Sequence, residues 1–194
     1  AEKVLGEFSI EKEVLGKDLV GLSYEPLFNV EELQSETAYK VYAADFVSTQ
    51  DGTGVVHTAV MYGEDDYELG KHHNLPMHHT VNQQGMFTDE VPGFAGRNVH
   101  EIQPEIIGYL ESQNALFKTE AYTHTYPHCW RCKTPLLYYA KGSWFIRMSS
   151  LRKGLTERNA GVNWAPEHIR DGRFGEFLKE AKDWALSRER YWGT

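Results

Sequence analysis

One histidine and a run of acidic side chains stand close together in the first third of the chain. His57 follows a short apolar run of strand type, Gly54-Val55-Val56. Glu64, Asp65 and Asp66 then open a predicted helix that runs to about residue 74, where carboxylates suit the positive end of the helix dipole. We expect the histidine and the carboxylates to meet over one small pocket, as ligand sites do at strand–helix junctions. The alternative interpretation is a capped helix beside a hydrogen-bonded structural histidine.

The second group of candidate ligands is the pair Cys129 and Cys132, which are the only cysteines in the chain. Two thiolates at this spacing form half of a tetrahedral zinc site, and a second Cys-x-x-Cys is lacking. Two free thiols or a redox pair are the alternatives. The paired histidines at 72–73 and 78–79 also invite a metal interpretation, but neighbouring residues point to different faces, so neither pair forms a good ligand set alone. Residues 78–81 instead predict a strand.

Length and composition limit the number of domains and the class of protein. The length of 194 residues indicates one domain, or one domain with an appended arm. No apolar run reaches membrane-spanning length, and the N-terminal residues lack a signal-peptide pattern, so we expect a cytoplasmic protein without a membrane partner. The net charge of −8 is uneven, with +4 over residues 141–190 and −12 over the remainder. The basic segment could contact a phosphate backbone or be an ordinary solvated helical surface.

The hydrophobic pattern predicts the strands and helices that would position these side chains. Alternating apolar residues predict strands within 3–24 (with a turn near Gly16), at 39–47, at 116–126, and as a pair at 136–139 and 143–148. Asp51-Gly52 signals a turn before the central strand. Periodicity predicts helices at 103–114, 151–158 and 176–186.

Four stretches then carry a family resemblance. They are GTGVVHTA at 52–59 with GEDDYELG at 63–70, EVPGFAG at 90–96, YPHCWRCKTPL at 126–136, and DWALSRERYWGT at 183–194. Together, and in this order, they closely resemble the editing insertion of class I isoleucyl-tRNA synthetases. The resemblance implies an α+β fold with an antiparallel barrel-like core and peripheral helices. It assigns residues 1–140 to the larger part of the editing domain, and 141–194 to a strand–helix segment returning to the catalytic domain.

The resemblance also implies a reaction. A hydrophobic pocket distinguishes isoleucine from valine by only about 1–3 kcal/mol, so a second site hydrolyses the ester of valine misattached to the isoleucine tRNA. Asp66 matches the family's aspartate that anchors the substrate ammonium, and His57 matches the histidine that lines the pocket. The neighbouring residues expected to contact substrate are Thr58, Ala59, Tyr62 and Gly63.

Departures from the family pattern leave a second function open. Val60 stands where the family usually has proline, and the family's threonine-rich strand, which forms one wall of the pocket, is not found in this sequence. The alternative is therefore a module that binds the tRNA acceptor end without catalysis, or a structural zinc knuckle.

Cofactors and partners follow from the same resemblance. We expect no cofactor in the editing site, zinc at Cys129 and Cys132 only if the parent enzyme supplies more ligands, and ATP and magnesium only in the parent's catalytic domain. The implied partners are the valine-bearing 3′ end of the isoleucine tRNA and the rest of the synthetase chain.

Overall fold

A computed structural model describes residues 8–48, 53–121 and 123–189. The chain divides into two compact units, Ala1–Ala140 and Lys141–Thr194, each described here by itself. The regular elements of the described residues are α1 (Glu64–His73), α2 (Gln103–Ser112), β1 (Phe145–Ile146), α3 (Arg152–Ala160), α4 (His168–Asp171), α5 (Arg173–Lys179) and β2 (Trp184–Ala185), with 3-10 turns at Gly16–Asp18, Glu31–Leu33 and Met148–Leu151. This content confirms the α+β class. None of the described helices has the length and apolar character needed to cross a bilayer.

The core of the first unit forms around one fully buried isoleucine. Ile102 packs with three other buried side chains, Val30, Val91 and Phe94. Aromatic rings extend this cluster, because Phe28 lies edge-on to Phe94 with ring centroids 5.5 Å apart. Ile102 also precedes α2, so burial of this residue positions that helix against the 28–33 and 91–94 segments.

Helix α1 has the signals that the sequence predicts. Acidic residues fill its first turn, and the basic residues Lys71, His72 and His73 fill its last, so both ends match the helix dipole. The helix ends at His73, and the capping residue Asn74 adopts the left-handed conformation at φ 53° that asparagine tolerates. Its one buried residue is Gly70. The predicted helices at residues 103–114 and 151–158 are likewise confirmed by α2 and α3.

The expected barrel-like antiparallel core is not found in the described residues. Backbone pairing in the first unit is limited there to isolated bridges, Ser23 with Lys40, Val81 with Phe87, Met86 with Asn98, and His128 with Pro135. The strand predictions for 54–56 and 116–126 are therefore wrong for the described residues, which are extended or bent. The prediction for 39–47 holds only around Lys40, which bridges Ser23. A strand requires a hydrogen-bonded neighbour, and alternating side chains do not reveal whether that neighbour exists. The predicted turn at 51–52 and strand residues 3–7 lie outside the described residues.

The second unit joins a short sheet to three helices. Strand β1 pairs antiparallel with β2, with Phe145 opposite Ala185. The predicted pairing of 143–148 with 136–139 is thus wrong, because β1 pairs with a distant segment. The predicted helix at 176–186 is partly wrong, since α5 ends at Lys179 and residues 184–185 form β2.

A buried asparagine connects the helices of the second unit. Asn159 donates from Nδ2 to the carbonyl oxygen of Arg170 at 2.8 Å and accepts at Oδ1 from Trp164 Nε1 at 2.9 Å. Leu178 and Ala181 are buried apolar residues of the second unit. The Arg152 guanidinium donates to the Ala181 carbonyl at 2.7 Å. These contacts satisfy buried polar groups that would otherwise destabilise so small a core.

Val60 packs directly on the helix backbone at Gly70, and this contact gives a stability prediction. A Cβ added at Gly70 would lie 2.5 Å from Val60 Cγ1. We expect Gly70→Ala to lower the free energy of unfolding by about 1–3 kcal/mol through overpacking. The measurement is urea unfolding of the chain.

The matched control is the exposed helix glycine Gly108, around which an added Cβ meets nothing within 4 Å. Gly108→Ala should stabilise by about 0.5–1 kcal/mol, as alanine does in a helix interior. Val60→Ala in the Gly70→Ala background should recover part of the lost stability. Equal effects of the two glycine variants would contradict the packing interpretation.

Candidate functional site

The loop before α1 is tied to the helix by one carboxylate. The Ala59 amide donates to Asp66 Oδ2 at 3.1 Å, and Asp66 is the third residue of α1. Within the loop, the Tyr62 amide donates to the Ala59 carbonyl at 2.8 Å, which closes a tight turn. Asp66 thus positions the loop that sequence analysis identified as the candidate site.

Gly63 allows the carboxylate to approach the backbone. It is the N-cap residue of α1, and an added Cβ would lie 2.9 Å from Asp66 Oδ2. A side chain with a Cβ at this position would clash with the carboxylate, so either the carboxylate or the new side chain would have to shift. This contact explains in physical terms why a glycine precedes the acidic turn.

Asp66 keeps acceptor capacity beyond its bond to Ala59. A carboxylate has about four lone-pair sites, and the Ala59 amide occupies one of them. The side chain is half-buried at the positive end of α1, where the helix dipole favours a negative charge. Such a group can accept hydrogen bonds from a cation or a water molecule.

His57 and Thr58 lie in the extended segment that leads into this loop. His57 is exposed and Thr58 is half-buried. His57 precedes Ala59 by two residues, so the Cα atoms of these two residues lie within about 7 Å of each other. The Ala59 amide in turn donates to the Asp66 carboxylate. The roles assigned to these two residues and to the carboxylate stay predictions.

Tyr62 has a structural function that the sequence did not indicate. Its hydroxyl oxygen accepts the amides of Thr80 and Val81, each at 2.9 Å. Its ring lies edge-on to His79, which stacks on Tyr139 with centroids 3.9 Å apart. The hydroxyl is therefore committed to the backbone, and the predicted substrate contact of Tyr62 would have to come from another part of the residue.

His79 completes this aromatic stack. Its Nε2 lies 2.8 Å from the Ala140 carbonyl, and its Nδ1 is buried without a partner among the described atoms. The Ala140 amide in turn donates to the Met61 carbonyl at 2.8 Å. Sequence reasoning missed this cluster because residues 62, 79 and 139–140 share no local pattern.

Removal of one hydroxyl tests this structural function. We expect Tyr62→Phe to destabilise the chain by about 1–3 kcal/mol, because two amides lose their acceptor. Thermal and urea unfolding measure it, with Tyr67→Phe on the adjacent helix as the control. A neutral Tyr62→Phe would show that water replaces the hydroxyl at no cost.

The cysteine pair forms a tight knuckle. The Cys129 amide donates to the Thr134 carbonyl at 2.8 Å, and the Lys133 amide donates to the Cys129 carbonyl at 2.9 Å. Lys133 adopts the left-handed conformation at φ 61°, which turns the chain back on itself. Thr134 Oγ1 lies 3.0 Å from Cys132 Sγ. Both thiols are free.

These two thiols fit only half of a zinc site. Among the described residues, no third histidine, cysteine or carboxylate joins them in a group close enough to share one ion. His128 directs Nδ1 to the Tyr126 carbonyl at 2.8 Å. The pair can therefore donate two thiolates to zinc, and further ligands must come from elsewhere.

The Thr134 hydroxyl lowers the pKa of one thiol in this knuckle. Hydrogen bonds from the Thr134 side chain and backbone, and from Cys129, lower the pKa of Cys132 to about 7, because they stabilise the thiolate. The thiolate is thus the major form above pH 7. Site-resolved alkylation should show a rate midpoint near that pH, and Thr134→Val should move the midpoint toward the ordinary thiol range. Unchanged midpoints would exclude Thr134 as the cause.

Comparison with known proteins places this chain in a family. Residues 8–194 match the family model described as tRNA synthetases class I (I, L, M and V). The chain is 51% identical to an isoleucine–tRNA ligase of Clostridium novyi, with 100% of this chain covered, and 46% identical to one of Picrophilus torridus, again with 100% covered. It is 47% identical to isoleucine–tRNA ligase 2 of Pseudomonas fluorescens, also over 100% of this chain. In each case the chain spans 19% of the length of the relative.

Proposed function

The chain belongs to the class I tRNA synthetase family, and on this premise we propose that it is the editing region of an isoleucine–tRNA ligase. The parent enzyme would join isoleucine to its tRNA with ATP, in a catalytic domain that supplies the nucleotide and magnesium sites. The observation that supports the editing assignment is the half-buried Asp66 carboxylate at the loop–helix junction.

The proposed reaction is hydrolysis of an ester that is already activated. Water adds to the carbonyl carbon of the valyl ester, the bond to the tRNA ribose oxygen breaks, and free valine and uncharged tRNA result. A covalent nucleophile is unnecessary for this chemistry. The site needs a group that holds the substrate ammonium, so that the ester carbon is presented to water.

Asp66 suits the ammonium because it provides a negative charge in a fixed position. The Ala59 amide and the helix end hold the carboxylate in place, and its remaining lone pairs can accept charge-assisted hydrogen bonds. An interaction of this type contributes about 1.5–3 kcal/mol. We assign the anchor role to Asp66, the pocket wall to His57, and backbone and side-chain contacts to Thr58, Ala59 and Gly63.

Substitution of the carboxylate by an amide tests the anchor. Asp66→Asn retains an oxygen for the Ala59 amide but removes the charge. In the full-length ligase that contains this segment, we expect hydrolysis of valyl-tRNA(Ile) to slow at least about tenfold, the equivalent of the lost hydrogen bond, while charging with isoleucine is unchanged. The measurement is the initial rate of deacylation of pre-charged tRNA.

The control is Asp65→Asn in the same helical turn, where the side chain is exposed. This variant removes one charge from the same helix end and should hydrolyse normally. Equal rates for Asp66→Asn and the unsubstituted enzyme would remove Asp66 from the mechanism. A uniform loss in both variants would assign the effect to the net charge of the helix end.

A second candidate function is a non-catalytic module that binds the tRNA acceptor end. The observation that favours it is the limited strand pairing of the first unit in the described residues, which supplies little pocket wall. The same deacylation assay on the 194-residue chain separates the candidates. Hydrolysis dependent on Asp66 supports a complete site, whereas tRNA binding without hydrolysis supports the module.

The rest of the synthetase chain is the proposed protein partner. Several large apolar side chains of the second unit are exposed, among them Trp144 at 80% and Phe177 at 59%. Exposed apolar side chains mark an interaction surface where they form one contiguous patch. The relatives are about five times as long as this chain, since it spans 19% of their length. We propose that the longer chain also completes the zinc ligand set at Cys129 and Cys132.

A further inference from the structure

Three possible metal ligands from separate segments converge in the first unit. The side-chain ligand atoms of Glu32, His78 and Glu90 all lie within 4.8 Å of one another. His78 Nε2 lies 3.0 Å from Glu90 Oε2. Among the described residues, no other group of three or more histidine, cysteine or carboxylate side chains comes this close together.

The backbone that holds the two carboxylate ligands is anchored in the core. Glu32 belongs to the 3-10 turn Glu31–Leu33, which follows the buried Val30, and Leu33 itself packs on the core cluster. Glu90 precedes Val91, another buried core residue. Anchored backbone limits the adjustment on ion binding to side-chain rotation, so the site loses little entropy on binding.

A neighbouring hydroxyl orients one of the carboxylates. Thr88 Oγ1 donates to Glu90 Oε2 at 2.8 Å. Carboxylates that ligate metals are commonly held by such outer hydrogen bonds, which direct the other lone pairs toward the ion. Together with the His78 contact, this bond holds the pKa of Glu90 below its ordinary value, so the carboxylate is charged at neutral pH.

We propose that Glu32, His78 and Glu90 bind a divalent transition-metal ion of the zinc class, separately from the cysteine knuckle. One imidazole nitrogen with two carboxylate oxygens suits zinc, whereas calcium and magnesium prefer oxygen ligands alone. Zinc bonds of about 2.0–2.2 Å need ligand atoms about 3.4 Å apart. The His78–Glu90 pair, at 3.0 Å, must therefore open by about 0.4 Å, and a separation at the 4.8 Å limit must shorten by about 1.4 Å. The side chains are free to do so, since those of His78 and Glu90 are 34% and 37% exposed.

The proposed role of the ion is structural. It would connect the 31–33 turn to the segments at residues 78 and 90, and one water molecule would take the fourth position, as in zinc sites with three protein ligands. Because an ion that binds the folded chain stabilises it by mass action, zinc should raise the unfolding temperature of the chain. This site concerns folding, and its existence does not depend on the editing reaction.

The test uses the 194-residue chain with Cys129→Ser and Cys132→Ser, which removes the competing thiolates. Zinc titration by calorimetry should show one equivalent bound. Cobalt should give a visible ligand-field spectrum without a thiolate charge-transfer band. Glu32→Gln and His78→Gln should each weaken zinc binding at least about tenfold, and Thr88→Val should weaken it by a similar factor through the outer shell.

Glu31→Gln is the matched control, because Glu31 is in the same turn but outside the cluster. Melting in the presence of chelator checks that each variant still folds. Zinc affinity that falls in the Glu32 and His78 variants and persists in the Glu31 variant supports the site. Absence of zinc binding, or equal affinity in all the variants, would overturn it and leave the His78–Glu90 contact as an ordinary ion pair.

Discussion

The hydrogen bond from the Ala59 amide to the Asp66 carboxylate is the constraint on which the candidate site depends. At 3.1 Å it joins the loop to the first turn of α1. The helix dipole favours the same charge, so the acid is stabilised twice by its surroundings. A carboxylate used in this way fixes the loop and retains lone pairs for a ligand. Asp66 can therefore hold the loop in place and bind a ligand at the same time.

The loop that precedes the helix is held at three further places. The Met61 carbonyl accepts the Ala140 amide at 2.8 Å, the Tyr62 hydroxyl accepts two amides at residues 80–81, and Val60 contacts Gly70. Each of the four consecutive residues 59–62 thus has a contact outside the loop: the first two with α1, the third with Ala140 and the fourth with residues 80–81. A loop constrained at every residue can present a side chain or a backbone group in one geometry, which is the condition for preorganised binding.

Sequence patterns predicted the helices better than the strands, for a physical reason. Capping, dipole charges and helical periodicity are local, so α1, α2 and α3 were identified close to their observed bounds. The strand at 143–148 was expected to pair with its sequence neighbour, but β1 pairs with residues 184–185. Alternation records which face is apolar and contains no information about the partner. The Asp66 loop was identifiable from its motif, whereas the Tyr62–His79–Tyr139 stack and the Glu32–His78–Glu90 cluster combine residues that are distant in sequence.

Charge distribution provides a further argument for how an acidic domain could act on tRNA. The proposed substrate carries a positive ammonium group at the end of a negatively charged tRNA. The ammonium therefore needs negatively charged surroundings, and the phosphates need positively charged ones. Charges on exposed groups are screened over about 8 Å at physiological ionic strength, so each part responds to its immediate neighbours and hardly to the net charge of −8. Glu64, Asp65 and Asp66 provide a local negative potential for the ammonium. Residues 141–190 have a charge balance of +4, and a positive segment of this kind would favour contact with a phosphate backbone. In the proposed function, an acidic site that attracts the substrate ammonium would repel phosphates at the same place, which would favour approach of the ester to Asp66.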